Sequence, residues 1–275
     1  MPKLSVITIN YNNSAGLERT FESVIPQLCG DIEYIVIDGA GGDGSRELIE
    51  RNADALAYWC SEPDGGIYNA MNKGVRHAQG EYLLFLNSGD FLCGKDVLAK
   101  ALPMLKEADI VYGDLIYQDP ATGERREETS PDTINADKLL TGSLPHPSTF
   151  IKRQLLIDTP YNEELKIVAD WEFFVKKIMW EGCSTRHLPF SISVFMEDGI
   201  SSRAKELRNR ERAQVIKQLF TPAIISVCEE WRALVKNLQP EFIEIGKTRK
   251  LYKRIRPLLR FIIRVNSLVS SKRYS

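Results

Sequence analysis

The spacing of apolar residues between residues 4 and 112 alternates between two patterns. Short, nearly continuous apolar runs, such as SVITI (5–9) and YLLFL (82–86), are typical of strands that are covered on both faces. Between these runs, apolar residues recur every three or four positions, which predicts amphipathic helices. The predicted strands are 4–9, 33–38, 57–60, 82–86 and 110–112. The predicted helices are 14–28, 44–52, 67–78 and 95–105.

Strands that alternate with helices predict an α/β fold with a doubly wound, mostly parallel sheet and helices on both faces. Residues 114–128 predict a hairpin that turns at 119–123, where Asp-Pro and Gly mark a tight turn. Further predicted elements are helices at 136–141 and 169–181, an extended segment at 148–152 and a strand at 191–195. Beyond residue 202 the pattern is helical. The predicted organisation is an α/β domain (1–203), a helical extension (204–245) and a basic tail (246–275).

Charge is unevenly distributed, although the formal net charge is only −1. The tail 246–275 contains ten of the 36 Lys and Arg residues and no Asp or Glu. Its apolar residues recur near helical spacing between the basic ones, a pattern typical of a helix at an anionic membrane surface. The alternative is a helix that packs on the rest of the chain or on a partner. Nucleic-acid binding is disfavoured because the remaining body is acidic and its aromatic residues form no stacking platform.

The sequence shows no secretory or membrane-spanning signal. No stretch approaches eighteen consecutive apolar residues, and a strand is predicted from residue 4 onward. The five cysteines are scattered and none has the spacing of a metal site, which favours reduced, buried thiols. These features predict a cytoplasmic protein.

Polar side chains follow the predicted strands at their carboxyl ends. Asp38 ends the second strand, and Asn87, Ser88 and Asp90 follow the run YLLFL. In open α/β sheets, ligands bind beyond the carboxyl ends of the strands, so we expect these groups to line a crevice. The alternative is that each acid only starts a turn or caps the next helix, a role that Asp43 could also fill.

A nucleoside needs hydrogen-bonding groups at the edge of its base and a wall against which it can stack. Thr8, Asn10 and Tyr11 lie at the exit of the first predicted strand. Asp38 lies at the exit of the second, where a carboxylate can accept an N–H from uracil or a hydroxyl from ribose. We expect these four residues to contact a nucleotide.

Five segments together resemble a known family. They are SVITINYNN (5–13), YIVIDGAGGDGS (34–45), DGGIYNAMNKG (64–74), FLNSGD (85–90) and ADWEFF (169–174). Their order is that of family 2 glycosyltransferases, which are nucleotide-sugar enzymes of the GT-A fold, and the resemblance covers roughly residues 3–203. The likeness is greatest to the enzymes that build bacterial capsular, O-antigen and colanic-acid-type polysaccharides.

The resemblance implies an inverting transfer from a nucleotide-sugar donor, UDP-linked by preference, to a lipid-linked saccharide. It also implies a protein peripheral to the inner face of the cell membrane. Asp38 would read the base, and Asp64, Asn72 and Lys73 would contact the ribose or phosphate. A solvated helix face explains Asn72 and Lys73 equally well. Family enzymes usually have Ser-Thr where this chain has glycines at 41 and 42.

The acidic metal motif of the family, Asp-x-Asp-Asp, is reduced here to Asn87-Ser-Gly-Asp90. A leaving diphosphate is well stabilised by a hard divalent cation that carboxylate and phosphate oxygens hold together. The resemblance therefore implies Mn²⁺ or Mg²⁺ at Asp90, with Asn87 offering a neutral oxygen. His146 is a further candidate metal ligand or phosphate contact, and a partly buried structural histidine is the alternative.

An inverting transfer also needs a base beside the acceptor hydroxyl. Asp170 and Glu172 both stand at the start of a predicted helix, where the helix dipole favours acids, so either could be only a cap. The resemblance assigns the base to Asp170, with Glu172 as the alternative. Residues 199–203 resemble a mobile loop that closes over donor and acceptor.

Two other functions are compatible with parts of the sequence. A nucleotidyltransferase would need a basic phosphate-binding loop after the first strand, and residues 10–16 contain no Lys or Arg. A catalytically silent glycosyltransferase-like protein is favoured by the reduced metal motif and disfavoured by Asp170. The sequence specifies neither the sugar, the acceptor, the linkage nor the oligomeric state.

Overall fold

The structure, a computed structural model, describes residues 1–106, 108–197, 204–227 and 229–230. Its strands are β1 (Leu4–Asn10), β2 (Ile32–Asp38), β3 (Tyr58–Ser61), β4 (Tyr82–Phe85), β5 (Phe91–Leu92), β6 (Ile110–Gln118), β7 (Arg125–Glu128), β8 (Thr149–Lys152) and β9 (Thr185–Met196). Its helices are α1 (Ser14–Val24), α2 (Ser45–Arg51), α3 (Ile67–His77), α4 (Val97–Ala101), α5 (Ala136–Thr141), α6 (Arg153–Asp158), α7 (Ala169–Phe174) and α8 (Lys205–Leu219). Helix α7 continues into a π-helical turn, Val175–Trp180.

The described strands form one mixed sheet in the order β3-β2-β1-β4-β8-β6-β9-β5, with β7 paired to β6. Strands β3, β2, β1 and β4 are parallel, as the alternation of strands and helices predicts. Strand β8 runs antiparallel to both β4 and β6, and β9 runs parallel to β6. The predicted α/β fold is confirmed, and the mixed part of the sheet begins where the regular alternation in the sequence ends.

Helices cover both faces of the parallel strands. On one face, alternate residues of β1 and β2 pack with α1, and the rings of Phe21 and Tyr34 meet edge to face at 5.8 Å. On the other face, α3 lies close to β1. A Cβ atom at Gly74 would stand 2.6 Å from Ile7 Cγ2, so glycine is needed for this approach. Both faces are therefore apolar, which explains the continuous apolar runs in the sequence.

Several predicted elements have different ends in the structure. The predicted helix 14–28 stops at Val24 and continues as a 3₁₀ turn, Ile25–Gln27, which contains Pro26. Likewise, 95–105 reduces to α4 and a 3₁₀ turn, Leu102–Met104, with Pro103. Proline lacks the N–H that a helix interior requires, which explains both early ends. Strand β9 is much longer than the predicted 191–195 because it continues through polar residues that break the apolar pattern.

The chain divides into two compact units, Met1–Ala213 and Gln214–Ser275. The first unit contains the whole sheet, and the predicted boundaries at residues 203 and 245 stay predictions. The loop 199–203 and the basic tail 246–275 lie outside the described residues, so their expected roles also stay predictions. In the part of the chain that the structure describes, each helix is too short or too polar to cross a membrane.

Candidate active site

Asp38 lies at the carboxyl edge of the parallel strands, where β1 and β2 end side by side with Asn10 paired to Asp38. Asn10 Nδ2 donates to Asp38 Oδ1 at 2.7 Å, and the Ser61 hydroxyl donates to Oδ2 at 2.6 Å. The Ala40 N–H adds a third bond at 3.2 Å. Asp38 is fully buried, so these donors fix its carboxylate. Asn10 Oδ1 is also buried and has no partner among the described residues, which leaves an acceptor available to a ligand.

The helix-capping role that was an alternative for Asp38 is filled by Asp43. Its carboxylate accepts the N–H and hydroxyl of Ser45 at the start of α2, and also the N–H of Ser14 at the start of α1. Asp43 therefore joins two helix starts. Asp38 instead accepts from Asn10 and Ser61 at the strand ends, and its bond from the Ala40 N–H also holds the turn after β2.

Thr8 and Tyr11 have opposite environments. Thr8 is fully buried, and its hydroxyl lies 2.7 Å from the Leu86 carbonyl oxygen and 2.9 Å from the Tyr34 hydroxyl. This position inside the sheet does not support the expected nucleotide contact of Thr8, which stays a prediction. Tyr11 is 67% exposed and is free to cover a ligand. A Cβ atom at Gly39 would lie 2.9 Å from Tyr11 Cδ2, so the Tyr11 ring stands directly beside the Asp38 loop.

Asp64 brings a second carboxylate to this edge. Its Oδ2 would lie 2.9 Å from a Cβ atom at Gly39, and its Oδ1 accepts the Gly66 N–H at 2.9 Å. Gly66 has a φ of +116°, which favours glycine, and it immediately precedes α3. The Asp64 loop therefore connects the Asp38 region to the start of α3.

Two expected ligand contacts on α3 already have protein partners. Asn72 is buried. Its Nδ2 donates to the Tyr161 carbonyl and to Glu163 Oε1, and its Oδ1 accepts the Tyr161 N–H. Lys73 Nζ pairs with Glu62 Oε1 at 2.9 Å. These bonds tie α3 to neighbouring segments. The expected ribose or phosphate contacts of Asn72 and Lys73 are not favoured by this geometry and stay predictions.

Asp90 lies in the turn after β4, where it is only 6% exposed. Its Oδ1 accepts the Met196 N–H of β9 at 3.1 Å. Asn87 Oδ1, in the same turn, is buried without a hydrogen-bond partner among the described residues. The Ser88 carbonyl accepts from Asn13 Nδ2 at 2.9 Å, which holds the turn against the start of α1.

Carboxylate and amide oxygens are the ligands that hard divalent cations prefer, so Asp90 and Asn87 fit such a cation. They do not complete its coordination. Across the described ranges, no group of three or more His, Cys, Asp or Glu side chains could hold a metal by itself. A cation here would need further ligands from a bound molecule.

His146 belongs to an aromatic cluster. Its Nε2 lies 2.8 Å from the Tyr161 hydroxyl, and its ring stacks on Phe85 with 5.1 Å between centroids. Burial lowers the pKa of His146, and the charge of Asp170 partly opposes this shift. Because Nε2 is occupied by Tyr161, this geometry does not support the predicted metal ligation. The alternative expectation, a partly buried structural histidine, describes its contacts better.

Asp170 stands in the first turn of α7, half-buried beside the same cluster. The Tyr68 hydroxyl donates to Asp170 Oδ1 at 2.9 Å. Burial and the charge of Asp170 raise the pKa of Tyr68 well above its usual value, so Tyr68 keeps its proton and remains a donor. Glu172 differs: it is 4% exposed and its Oε1 is paired with Lys176 at 2.8 Å. Of the two acids, Asp170 is the one oriented by a neutral donor and not neutralised by a lysine.

Two residues at this site escaped the sequence analysis. Tyr68 lies inside the segment DGGIYNAMNKG, where a tyrosine among small and polar residues was a usable signal. The guanidinium of Arg212, in α8, lies 4.7 Å from the centre of the Trp171 ring, and Trp171 follows Asp170 in the sequence. Arg212 is one of several basic residues in a strongly charged helix, so no signal distinguished it.

Comparison with known proteins identifies the family of this chain. Residues 5–162 match the family described as Glycosyl transferase family 2. An uncharacterized glycosyltransferase of Mycobacterium tuberculosis, Rv1514c, is 39% identical over 182 residues, which cover 64% of this chain and 68% of the relative. The PGL/p-HBAD biosynthesis glycosyltransferase Rv2957 of the same species is 28% identical over 245 residues, which cover 86% of this chain and 93% of the relative.

Among solved structures, S. aureus TarS (residues 1–349) in complex with UDP-GlcNAc aligns with a TM-score of 0.61 and 21% identity. The alignment covers 80% of this chain and 68% of that chain, and at this identity it supports the fold alone. The family match favours a sugar transferase over the nucleotidyltransferase that was the alternative. Because the matched residues make up more than half of the sequence, the chain belongs to glycosyl transferase family 2, and it is a transferase with the GT-A fold.

Proposed function

We propose that this transferase moves a sugar, with inversion, from a UDP-linked donor to a lipid-linked saccharide during bacterial surface polysaccharide synthesis. One observation supports it above the others: contacts run without a break from Asp38 to Asp170. Gly39 lies against Asp64, the Asp64 loop leads into α3, and Tyr68 of α3 donates to Asp170. These contacts connect the proposed nucleotide end to the proposed base, and we infer that both face one crevice.

The donor end is proposed to bind the uracil and ribose. Uracil presents an N–H that the Asp38 carboxylate or the unpartnered Asn10 Oδ1 can accept. The exposed Tyr11 ring is then available to cover the base. UDP is the first nucleotide to test because TarS, which shares the fold, was solved with UDP-GlcNAc.

A divalent cation, Mn²⁺ or Mg²⁺, is proposed to be held by Asp90 and the Asn87 amide oxygen together with donor phosphates. When bound, such a cation supplies positive charge that stabilises the negative charge of the leaving diphosphate. Asp90 and Asn87 lie in the turn after β4, at the same carboxyl edge as Asp38. The turn itself is held by Thr20, whose hydroxyl donates to the Asp90 carbonyl at 2.7 Å.

Asp170 is proposed to act as the general base. It takes the proton of the acceptor hydroxyl while that oxygen forms a bond to the anomeric carbon of the donor sugar. The bond from the anomeric carbon to the diphosphate breaks, and its electron pair leaves with the nucleoside diphosphate. Attack from the face opposite the leaving group inverts the anomeric configuration. Tyr68 orients the carboxylate by donating to Oδ1, and it does not compete as a base because its pKa is raised.

A panel of nucleotide sugars, incubated with the protein and Mn²⁺, tests the proposal through slow hydrolysis of the donor. We expect hydrolysis of a UDP-sugar above that of an ADP-sugar, because the Watson–Crick edge of adenine lacks the ring N–H of uracil that Asp38 or Asn10 can accept. Hydrolysis of no donor, together with absent nucleotide binding, would favour the catalytically silent alternative. Transfer to a small acceptor gives a glycoside, and NMR of its anomeric proton shows whether the configuration is inverted. A retained configuration would contradict the inverting assignment.

We further propose that the tail 246–275 attaches the protein to the inner face of the cell membrane. Support comes from its charge, ten basic and no acidic residues interleaved with apolar ones. Deletion of 246–275 should abolish sedimentation with anionic vesicles, and binding of the intact chain should weaken as salt rises. A tail that packs on the protein would instead give equal, negligible vesicle binding before and after deletion, and a lower melting temperature after it.

A further inference from the structure

A cavity of about 390 Å³ is lined by residues that include none of the proposed donor contacts. Its walls come from α5, the loop that follows it, strands β6 and β7, and the first part of α8. All the lining residues belong to the unit Met1–Ala213. Three of them are basic, namely Lys138, Arg208 and Arg212, and Glu128 is the acid among them.

Arg212 is held in a fixed orientation at this cavity. Its Nη2 donates to the Gly142 carbonyl at 2.8 Å, and its guanidinium lies 4.7 Å over the Trp171 ring. Its Nε is nevertheless buried without a hydrogen-bond partner among the described residues. The same is true of Ser143 Oγ, which also lines the cavity. A buried polar group without a partner destabilises a fold, and a bound molecule with acceptor oxygens would satisfy both of these groups.

The other charges at the cavity leave a positive excess. Lys138 Nζ is 3.4 Å from Glu128 Oε1, so one cation and the acid largely offset each other. Arg208 and Arg212 remain, and burial, followed by repulsion from Arg208, lowers the pKa of Arg212. Arg212 lies over the ring of Trp171, the residue after Asp170 in α7, so this wall of the cavity adjoins the proposed base.

We propose that this cavity binds an anionic group of the acceptor, so that Arg208 and Arg212 hold the acceptor beside Asp170. The inference rests on the proposed function, because it assumes that Asp170 faces the acceptor. Guanidinium groups bind phosphate and carboxylate oxygens through charge-assisted hydrogen bonds. Two acceptor groups share that chemistry: the phosphate that links a saccharide to its lipid, and the carboxylate of an acidic sugar.

Calorimetry on the full chain, with UDP and Mn²⁺ in excess, can compare three probes that share a gluco-configured pyranose ring and an octyl chain. They are n-octyl glucosyl phosphate, n-octyl glucuronide and the neutral n-octyl glucoside. We expect at least one anionic probe to bind about tenfold more tightly than the neutral one. The phosphate and carboxylate arms distinguish the two sources of the anion.

Arg208→Ala should remove the preference for the anionic probe, and Arg208→Lys should keep most of it because the charge is retained. Arg210→Ala is the matched control: Arg210 lies two positions along α8, is exposed and does not line the cavity. Equal binding of all three probes, or an anionic preference that survives in a folded Arg208→Ala variant, would overturn the inference. Calorimetry with UDP and Mn²⁺ alone reports separately on the donor part of the proposed function.

Discussion

Two regions of the molecule hold their polar side chains in different ways. At the ends of the parallel strands, the partners of Asp38 come from adjacent strands whose register aligns Asn10 with Asp38. Around α7, Asp170 is held by Tyr68 of α3, which lies 102 positions earlier in the chain, and by the packing of an aromatic cluster. Strand register therefore fixes the donor end, whereas tertiary packing fixes the proposed base.

This difference has a consequence for function. Changes at the strand ends of the parallel half should act mainly on binding of the nucleotide. Changes in the aromatic cluster should act mainly on turnover, because they alter the orientation of Asp170 without touching the donor residues. The following substitutions separate the two effects.

The largest expected effect is the loss of metal-dependent UDP binding in Asp90→Asn. Asparagine keeps an oxygen to accept the Met196 N–H but removes the carboxylate charge that a divalent cation needs. Calorimetry with UDP in the presence and absence of Mn²⁺ measures how far the affinity for UDP depends on the metal. Asp90→Ala is a poorer variant, because the buried Met196 N–H would lose its partner at a cost of about 1–3 kcal/mol. Full Mn²⁺ dependence in Asp90→Asn would mean that the cation is held elsewhere.

A smaller effect is expected for Tyr68→Phe, which removes the hydroxyl that orients Asp170 and keeps the ring. We expect kcat to fall about tenfold, the size of one lost hydrogen bond, while KM for the donor stays the same. Tyr58→Phe is the matched control: Tyr58 lies in β3, and its ring stacks on His77 of α3. A rise in KM for the donor with constant kcat would place Tyr68 at the donor end. It would contradict the separate roles of the strand ends and the region around α7.

The smallest effect concerns stability and pH. Burial lowers the pKa of His146 below its usual 6.5, so the folded protein binds this proton less readily than the unfolded chain. The free energy of unfolding should therefore fall as the pH drops below about 6.5. His146→Phe should make this decline shallower. Denaturant titrations at a series of pH values measure it, and an unchanged slope in the variant would show that His146 does not contribute.

Much of the donor half could be predicted because its signals are local. Apolar runs and the polar residues that end them located β1, β2 and β4, and they identified Asp38 and Asp90 at the strand exits. The resemblance to the family was likewise carried by short segments. Asn72 marks the limit of such reasoning: a polar residue that bonds a neighbouring backbone looks the same in a sequence as one that binds a ligand.

Less of the mixed strands and of the region around α7 could be predicted, because their contacts join residues that are far apart in the sequence. Neither the pairing of β8 between β4 and β6 nor the Tyr68–Asp170 bond has a local signature. The same holds for the cavity, where Lys138 of α5 and Arg208 of α8 line one space. The position of His146 among aromatic rings also depends on packing alone.

The most direct test of the account uses Asp170→Asn, with UDP affinity and sugar transfer measured on the same preparation. The variant should bind UDP and Mn²⁺ as the unchanged protein does and lose roughly 10²–10⁴-fold in transfer, the usual size for removal of a general base. Glu172→Gln, which changes an acid already paired with Lys176, is the control. Near-full transfer by Asp170→Asn, with loss of transfer in Glu172→Gln, would contradict the assignment of the base. It would also contradict the separate roles of the strand ends and the region around α7.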